Sequence, residues 1–382
     1  MSVRVLVWQW GRFGVGARYA LELAHALAEE CSHDTLLSLA EGAELMQDPA
    51  CRSAVDLPLY TYANAREFVR RSLGIRGVLR PIVEILSADP PDAAIVTMTG
   101  YWDIFLVGRL RRMGIPVVVM IHDAENHPGD RFHVMVGLQR RLIAMSEGVI
   151  TLSGFVTRQL ASRLSLAGKV QATIPLVAFS YAELDLPPAQ LPDVSTDRPL
   201  RLLMAGRLKR YKGLRLLADA LQLIGGAPPL SVRVVGAVQD PSEIAALAAL
   251  PNVEIDLGWK SDRDLIAHLD WADTAVLPYV EASQSGIAPM SFKRGRPVIA
   301  TPVGGLPEQV RHGETGLLTD EVSATALAAS IRRFAEDRKL LRACAENALR
   351  HADDDLGWKA LAPRFSEVLE QVARRGAAKA RS

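Results

Sequence analysis

Along the chain, short runs of consecutive apolar residues alternate with longer stretches in which apolar positions recur every three or four residues. "VRVLVW" (3–8), "AAIVTM" (93–98), "PVVVMI" (116–121) and "GVITLS" (148–153) are short and rich in β-branched residues, so each predicts a strand. Between them lie stretches such as "ARYALELAHALAEE" (17–30), whose period is helical. Strands that are apolar throughout, rather than alternately, are buried on both faces. They predict a parallel sheet covered by helices on either side.

The pattern then breaks and restarts. Residues 183–199, "ELDLPPAQLPDVSTDRP", are rich in Pro and Asp and lack apolar periodicity, which marks a linker. Beyond it, "LRLLMA" (200–205), "LSVRVVG" (230–236), "NVEIDLG" (252–258), "DTAVLP" (273–278) and "RPVIAT" (296–301) again predict strands interleaved with helices. The predicted fold class is α/β, with two Rossmann-like, doubly wound parallel-sheet domains facing a central cleft. A length of 382 residues suits two such domains.

Composition narrows the function classes. The chain is 49% hydrophobic and 23% charged with a formal net charge of +1, so it carries no global basic field and nucleic acid is not an expected partner. Cys31, Cys51 and Cys344 are odd in number and far apart, which supports neither a disulfide framework nor a zinc site. The N-terminal apolar run is broken by Arg4 and lacks a cleavage site, and no segment reaches the length of a membrane span. A cytoplasmic protein is expected.

The candidate chemistry sits in loops that follow strands. "GRLKRYKG" (206–213) places Arg207, Lys209, Arg210 and Lys212 between a strand and a helix, with glycines at Gly206 and Gly213. Clustered cations repel one another unless an anion or water accommodates them, so the loop predicts either a phosphate site or a solvated basic turn. A second loop, "LPYVEASQSGIAPM" (277–290), holds the small polar turn Ser283-Gln284-Ser285-Gly286, whose amides and hydroxyls suit a diphosphate. Gly304 and Gly305 end the next strand on the same edge. In the first half, "WGRFGVGARYALEL" (10–23) opens a helix with Gly11, Gly14 and Gly16, although the spacing is not that of a dinucleotide fingerprint. "MIHDAENHPGDRFH" (120–133) puts His122 and Asp123 at a strand end. His122, His127 and His133 follow no metal-ligand spacing, and no metal is expected.

Together, the glycine loop with Gly14 and Gly16, "IHD" (121–123), "VITLSGFV" (149–156), "GRLKRYKG", "LGWKSDRDLIAHLDWADTAVLPY" (257–279), "GRPVIATPVGGLPEQV" (295–310) and "HGETGLL" (312–318) resemble the retaining glycosyltransferases of the GT-B fold, family 4. The resemblance covers nearly the whole chain. It implies an N-terminal acceptor-side domain (1–182), a linker (183–199), a C-terminal nucleotide-sugar domain (200–355) and a last helix (356–382) that crosses back to the first domain.

The resemblance further implies that Arg207 and Lys212 bind and neutralise the diphosphate of a UDP- or GDP-sugar as it leaves, that His122 lies against the donor sugar, and that Gly14, Gly16 and Gly206 let backbone approach the donor. No cofactor or metal is implied. Two glutamates eight residues apart usually precede the "GxPV" strand, yet counting back from Gly295 finds Met290 and Ala282 at those places. Glu281 stands one position off as a substitute for the first acid, with Ser283, Gln284, Ser285 and Gly286 completing a variant donor loop.

On the acceptor side, Tyr101 and Trp102 at a strand end are candidates to stack on a sugar, or to pack in the core, and Asp123 lies nearby. Residues 64–86 combine five arginines with apolar positions, which suits either peripheral contact with an anionic membrane or an ordinary surface helix pair. The reading is a retaining transferase acting on a glycan or lipid-linked glycan in bacterial cell-surface polysaccharide synthesis. Its rivals are a degenerate binding subunit and a nucleotide-sugar epimerase or hydrolase.

Overall fold

A computed structural model describes residues 2–125 and 133–381. The described residues form two compact units, one made of residues 2–125, 133–175 and 358–381, the other of residues 176–357.

The first unit opens with β1 (Arg4–Gln9), α1 (Gly16–Cys31), β2 (Asp34–Leu39), α2 (Pro49–Ser53), α3 (Ala65–Leu73) and α4 (Ile75–Ala88). It continues with β3 (Ala93–Val96), α5 (Asp103–Arg112), β4 (Val117–Ile121), α6 (His133–Met145), β5 (Gly148–Thr151), α7 (Gly154–Ala161) and β6 (Val170–Thr173). All six strands run parallel in the order β2-β1-β3-β4-β5-β6. The central strands β3, β4 and β5 are buried at every position, as their unbroken apolar runs require. Because the chain moves from β1 to one neighbour and then returns to the other, the sheet reverses its winding between β1 and β3. The loops after those two strands therefore diverge and leave a crevice.

The second unit holds β7 (Leu200–Ala205), α8 (Leu214–Ile224), β8 (Leu230–Gly236), α9 (Ala245–Ala248), β9 (Val253–Leu257) and α10 (Asp262–Trp271). Then come β10 (Thr274–Leu277), α11 (Ile287–Lys293), β11 (Val298–Ala300), α12 (Leu306–Gln309), β12 (Gly316–Leu318), α13 (Ala324–Glu336) and α14 (Arg338–Asp354). Its sheet is parallel in the order β12-β11-β10-β7-β8-β9, so the winding reverses between β7 and β10. Leu214, Leu217 and Leu221 lie on one face of α8 and pack with Phe334 of α13 in the core over the sheet. A capping box at Ser261 and Asp264 starts α10, and Asp48, Asn64 and Ser323 cap α2, α3 and α13.

The last helix, α15 (Trp358–Arg381), belongs to the first unit. Trp358 Nε1 donates to Glu22 Oε2 of α1 at 2.7 Å, and Ser366 Oγ lies 2.7 Å from the His33 ring. The rings of Tyr19, Trp358 and Phe365 meet edge to face and tilted, with centroids 5.5–6.3 Å apart. This aromatic contact closes one face of the first sheet.

Nine of the twelve strands coincide with the apolar runs of the sequence. β2, β6 and β12 do not, and all three are sheet edges with exposed or half-buried positions.

Candidate functional site

In the second unit the winding reversal brings together the two loops that follow β7 and β10. The first is the basic loop, the second the Ser-Gln-Ser-Gly turn. They are joined by backbone: Val280 N donates to Tyr211 O at 2.8 Å, and Gly213, at φ +74°, lets the basic loop approach so closely that a Cβ there would fall 1.7 Å from Pro278 O.

Within this pair of loops the cations separate. Arg207 and Arg210 are exposed, whereas Lys212 is 8% exposed and its Nζ donates to Tyr279 Oη at 2.6 Å while lying 4.3 Å from the centre of that ring. Burial pushes its pKa down to about 8, and the neighbouring charges of Arg207 and Lys209 add to the effect. Lys212 has no carboxylate beside it among the described residues. An ammonium held this way is stabilised by an arriving anion.

From Lys212 a polar chain runs onward. Tyr279 Oη lies 3.0 Å from Ser285 Oγ, and Gln309 clamps the Ser285 backbone from α12, accepting from its N–H at 2.8 Å and donating to its carbonyl at 3.1 Å. Ser285 Oγ also accepts from Ile287 N at 3.3 Å. The turn is thus fixed in shape before any ligand is present. Beside it, Ser283 is buried, Gly286 and Glu281 are exposed, and the Gln284 Oε1 atom is buried without a hydrogen-bond partner among the described residues. Gly206, at φ +110°, faces Lys212 with room to spare, since a Cβ there would stand 3.6 Å from Nζ. Gly304, at φ +56°, lies so close to Ala282 that a Cβ would fall 1.4 Å from its carbonyl oxygen. Met290 and Ala282 are both buried. Lys260, just past β9, is engaged by Asp256 at 2.6 Å.

Sequence reading missed Tyr279 and Gln309, which hold Lys212 and the turn. A tyrosine after a strand and a glutamine in a short helix carry no motif that would single them out.

In the first unit the glycine loop follows β1 at the reversal point. Gly14 has φ +82° and is exposed, and its N–H lies 3.4 Å from Glu44 Oε2. Gly16 starts α1 against the buried amide of Gln9, whose Nε2 would stand 2.8 Å from a Cβ there. Across the crevice, Asp103 at the start of α5 accepts from Trp8 Nε1 at 3.1 Å and Gly100 N at 2.5 Å, pinning the loop after β3. Burial raises the pKa of this carboxyl to about 7 against the pull of those two donors.

That loop divides the two aromatic candidates. Trp102 is 4% exposed, stacks on Phe68 at 6.0 Å and donates from Nε1 to Ser72 Oγ at 2.8 Å. It is a core residue, because its ring and its one polar atom are both satisfied inside the unit. Tyr101 presents its ring to solvent at 36% exposure.

His122 follows β4, and its Nε2 lies 2.8 Å from Thr97 O. A carbonyl only accepts, so Nε2 carries the proton and Nδ1 is the acceptor in the neutral ring. Burial lowers the pKa of this histidine. Asp123 accepts through its backbone carbonyl from Gln139 Nε2 at 2.9 Å. His127 lies outside the described residues, as does the side chain of His133. Among the described residues no group of three or more His, Cys, Asp or Glu is placed to hold a metal ion, and no helix is long and apolar enough to cross a membrane.

Residues 14–177 match the family model of the glycosyl transferase 4-like domain, and residues 193–351 match that of glycosyl transferases group 1. A curated relative, the D-inositol 3-phosphate glycosyltransferase of Thermobispora bispora, is 32% identical over 187 residues, covering 46% of this chain and 44% of that protein. The enzyme of the same name from Corynebacterium glutamicum is 31% identical over 173 residues, covering 43% of this chain and 41% of its own. The chain thus spans less than half the length of these relatives. Among solved structures, Anabaena HepE in complex with UDP-glucose superposes with a TM-score of 0.71 over 97% of this chain and 100% of that one, at 16% identity. The UDP-GlcNAc 2-epimerase of Neisseria meningitidis bound to UDP-GlcNAc gives 0.60 over 96% and 100%, at 13% identity. At these identities the likeness is one of fold.

Proposed function

Since its two halves belong to the two domain families of the group 1, GT-B glycosyltransferases, we propose that the protein transfers a sugar from a nucleotide-diphosphate sugar to a glycan or lipid-linked glycan with retention of anomeric configuration. The observation that carries this reading is Lys212, buried without a carboxylate partner among the described residues and joined through Tyr279 to a pre-shaped turn where the second sheet reverses its winding.

Breaking the anomeric bond builds negative charge on the leaving diphosphate. Lys212, fixed in place, and Arg207, exposed beside it, neutralise that charge, and because their positions are set beforehand they stabilise the transition state more than the ground state. The Gly286 amide, the Ser283 hydroxyl, the Gln284 amide and the backbone at Gly206 take the phosphate oxygens and the donor's polar groups, with Ser285, its own N–H held by Gln309, shaping the turn and Glu281 at the rim. From the first unit, exposed Gly14 offers its backbone, Gly16 lets the helix behind it start close against Gln9, and the Nδ1 of His122 accepts from a sugar hydroxyl. Tyr101 supplies the aromatic face for the acceptor, and Asp123, after β4, serves the acceptor side with it. In this reading the donor is UDP- or GDP-linked, the charge on the phosphates is met by side chains without a metal, and the leaving phosphate takes the acceptor's proton.

Met290, where a glutamate usually grips the ribose, favours a second reading in which the protein binds a donor without turning it over. The epimerase alternative shares the fold and would consume donor with no acceptor. We assign the transferase to cell-surface polysaccharide assembly in the cytoplasm, with peripheral membrane contact through residues 64–86.

Calorimetry with UDP-, GDP- and ADP-sugars, in the presence of a chelator, tests the donor site. One donor binds tightly, and the Arg207→Ala/Lys212→Ala double variant loses at least tenfold in affinity, since charge-assisted bonds contribute about 1.5–3 kcal/mol each. Equal binding by the variant overturns the clamp. Binding without transfer to any glycan acceptor selects the degenerate subunit, and donor consumption without acceptor selects the epimerase or hydrolase.

A further inference from the structure

The first unit carries a groove that the donor chemistry does not use. It has a volume of about 750 Å³ and lies between α4, α5 and α6. Its floor is apolar, made by Leu79 and Val83 of α4, Ile104 and Phe105 of α5, and Met145 of α6. Two glycines open it: at Gly77 an added Cβ would meet nothing within 4 Å, and at Gly108 it would meet only the Met145 methyl at 3.7 Å.

Five arginines line the same groove: Arg76, Arg80, Arg109, Arg112 and Arg141, against one acid, Glu84. Arg80 pairs with Glu84 at 2.7 Å. The other four guanidiniums make no ion pair and no side-chain hydrogen bond among the described residues. Within the lining Phe105 is 44% exposed, and on the helices that lead to it Ile85 of α4 and Leu73, the last residue of α3, are exposed at 48% and 87%. Arg76 and Arg80 belong to the basic amphipathic stretch of the sequence, but Arg109, Arg112 and Arg141 come from helices remote in the chain.

Resting on the membrane contact proposed for residues 64–86 and narrowing it to a ligand site, we infer that the α4–α5–α6 groove binds the headgroup of an anionic phospholipid in a bilayer. The guanidinium fork matches a phosphate with two parallel N–H donors, and four such forks, without protein partners among the described residues, line the same opening. A purely polar polyanion would satisfy the arginines but would leave the apolar part of the lining, with its exposed Phe105, without contacts. A phospholipid satisfies both, with phosphate at the rim and acyl carbons against the floor and the exposed side chains. The volume falls within the range of ordinary ligand pockets, so the site takes one headgroup and saturates, unlike adhesion spread over a basic surface.

The test is flotation of the full chain with phosphatidylcholine vesicles, with and without phosphatidylglycerol. Binding requires phosphatidylglycerol. An Arg109→Gln/Arg112→Gln/Arg141→Gln variant loses roughly one hundred-fold in partitioning, since each basic residue at an anionic surface contributes about fivefold. Gly77→Gln leaves every charge in place, fills the groove with a neutral side chain in open space, and lowers binding as well. Circular dichroism and the melting temperature verify that each variant is folded, and Arg→Lys at the three positions, which keeps the charge and removes the forks, restores only part of the binding.

Three results overturn the inference. Equal binding by the triple variant places any membrane contact elsewhere. Full binding by Gly77→Gln, with loss in the triple variant, makes the contact surface adhesion without a lipid site. Capture of a poly-glutamate peptide in preference to the vesicles, lost in the same triple variant, gives the groove to an acidic protein segment.

Discussion

At the scale of single residues, the basic loop divides into cations of different kinds. Lys212 is buried and tied to Tyr279, while Arg207 and Arg210 face water. Burial lowers the Lys212 pKa from 10.5 to about 8, a difference worth roughly 3 kcal/mol between its two protonation states. The unfolded chain therefore holds this proton more tightly between about pH 8 and 10, and the residue's contribution to stability falls as pH drops through that window. An anion reverses the preference. Affinity for a UDP-sugar should be flat below about pH 8 and weaken by up to about tenfold per pH unit above it, with proton uptake visible as buffer-dependent heat in calorimetry. Lys212→Met should bind weakly with no such break; a pH-independent wild-type affinity would remove Lys212 from the phosphate contacts. The sequence displayed the cluster and its flanking glycines, because charge and chain freedom are written in residue types. Which cation is buried depends on Tyr279 and on the Gln309 clamp across a distance of 67 and 97 positions, and nothing local encodes it.

At the scale of elements, interior strands were legible and, of the four edge strands among the described residues, only β9 was. A strand covered on both faces needs an unbroken apolar run, which the eye finds in β3, β4 or β10. β2, β6 and β12 lie at sheet margins, where one side of the ladder and part of each face meet water, so "DTLLSL", "VQAT" and "GLL" carry no such run. The loops were legible for a different reason. Gly304 is required by its backbone: φ is +56° and a Cβ would overlap the Ala282 carbonyl at 1.4 Å. Gly304→Ala should cost about 3 kcal/mol or more and disturb the donor loop with it. Gly313→Ala, at φ +77° with open space around it, should cost only about 1 kcal/mol. Urea denaturation of the pair separates the two; equal costs would mean that the 282–304 contact relaxes freely.

At the scale of the whole molecule, two cores of similar construction fold from one chain, each with its own sheet and its own helical cover. The restart of the apolar pattern after 183–199 announced the second core, but periodicity alone does not say which sheet a helix covers. α15 is assigned by contacts that no local pattern shows, such as Trp358 to Glu22 and Ser366 to His33, more than 330 positions apart. Phe365 is fully buried among them, and Phe365→Ala should lower the stability of the first unit by about 3–5 kcal/mol. Hydrogen exchange should show the loss in β1 and α1 while leaving β7, β8 and α8 protected. Equal loss in both sets would show the two cores unfolding as one.

The placement of α15 also orders events during synthesis. The second unit is a continuous stretch and can complete its core once residues 176–357 are available. The first unit, although its strands are made earliest, keeps one face of α1 uncovered until residues 358–381 have emerged. Of the two units, the one whose strands stand earlier in the chain is thus the one whose core is completed later.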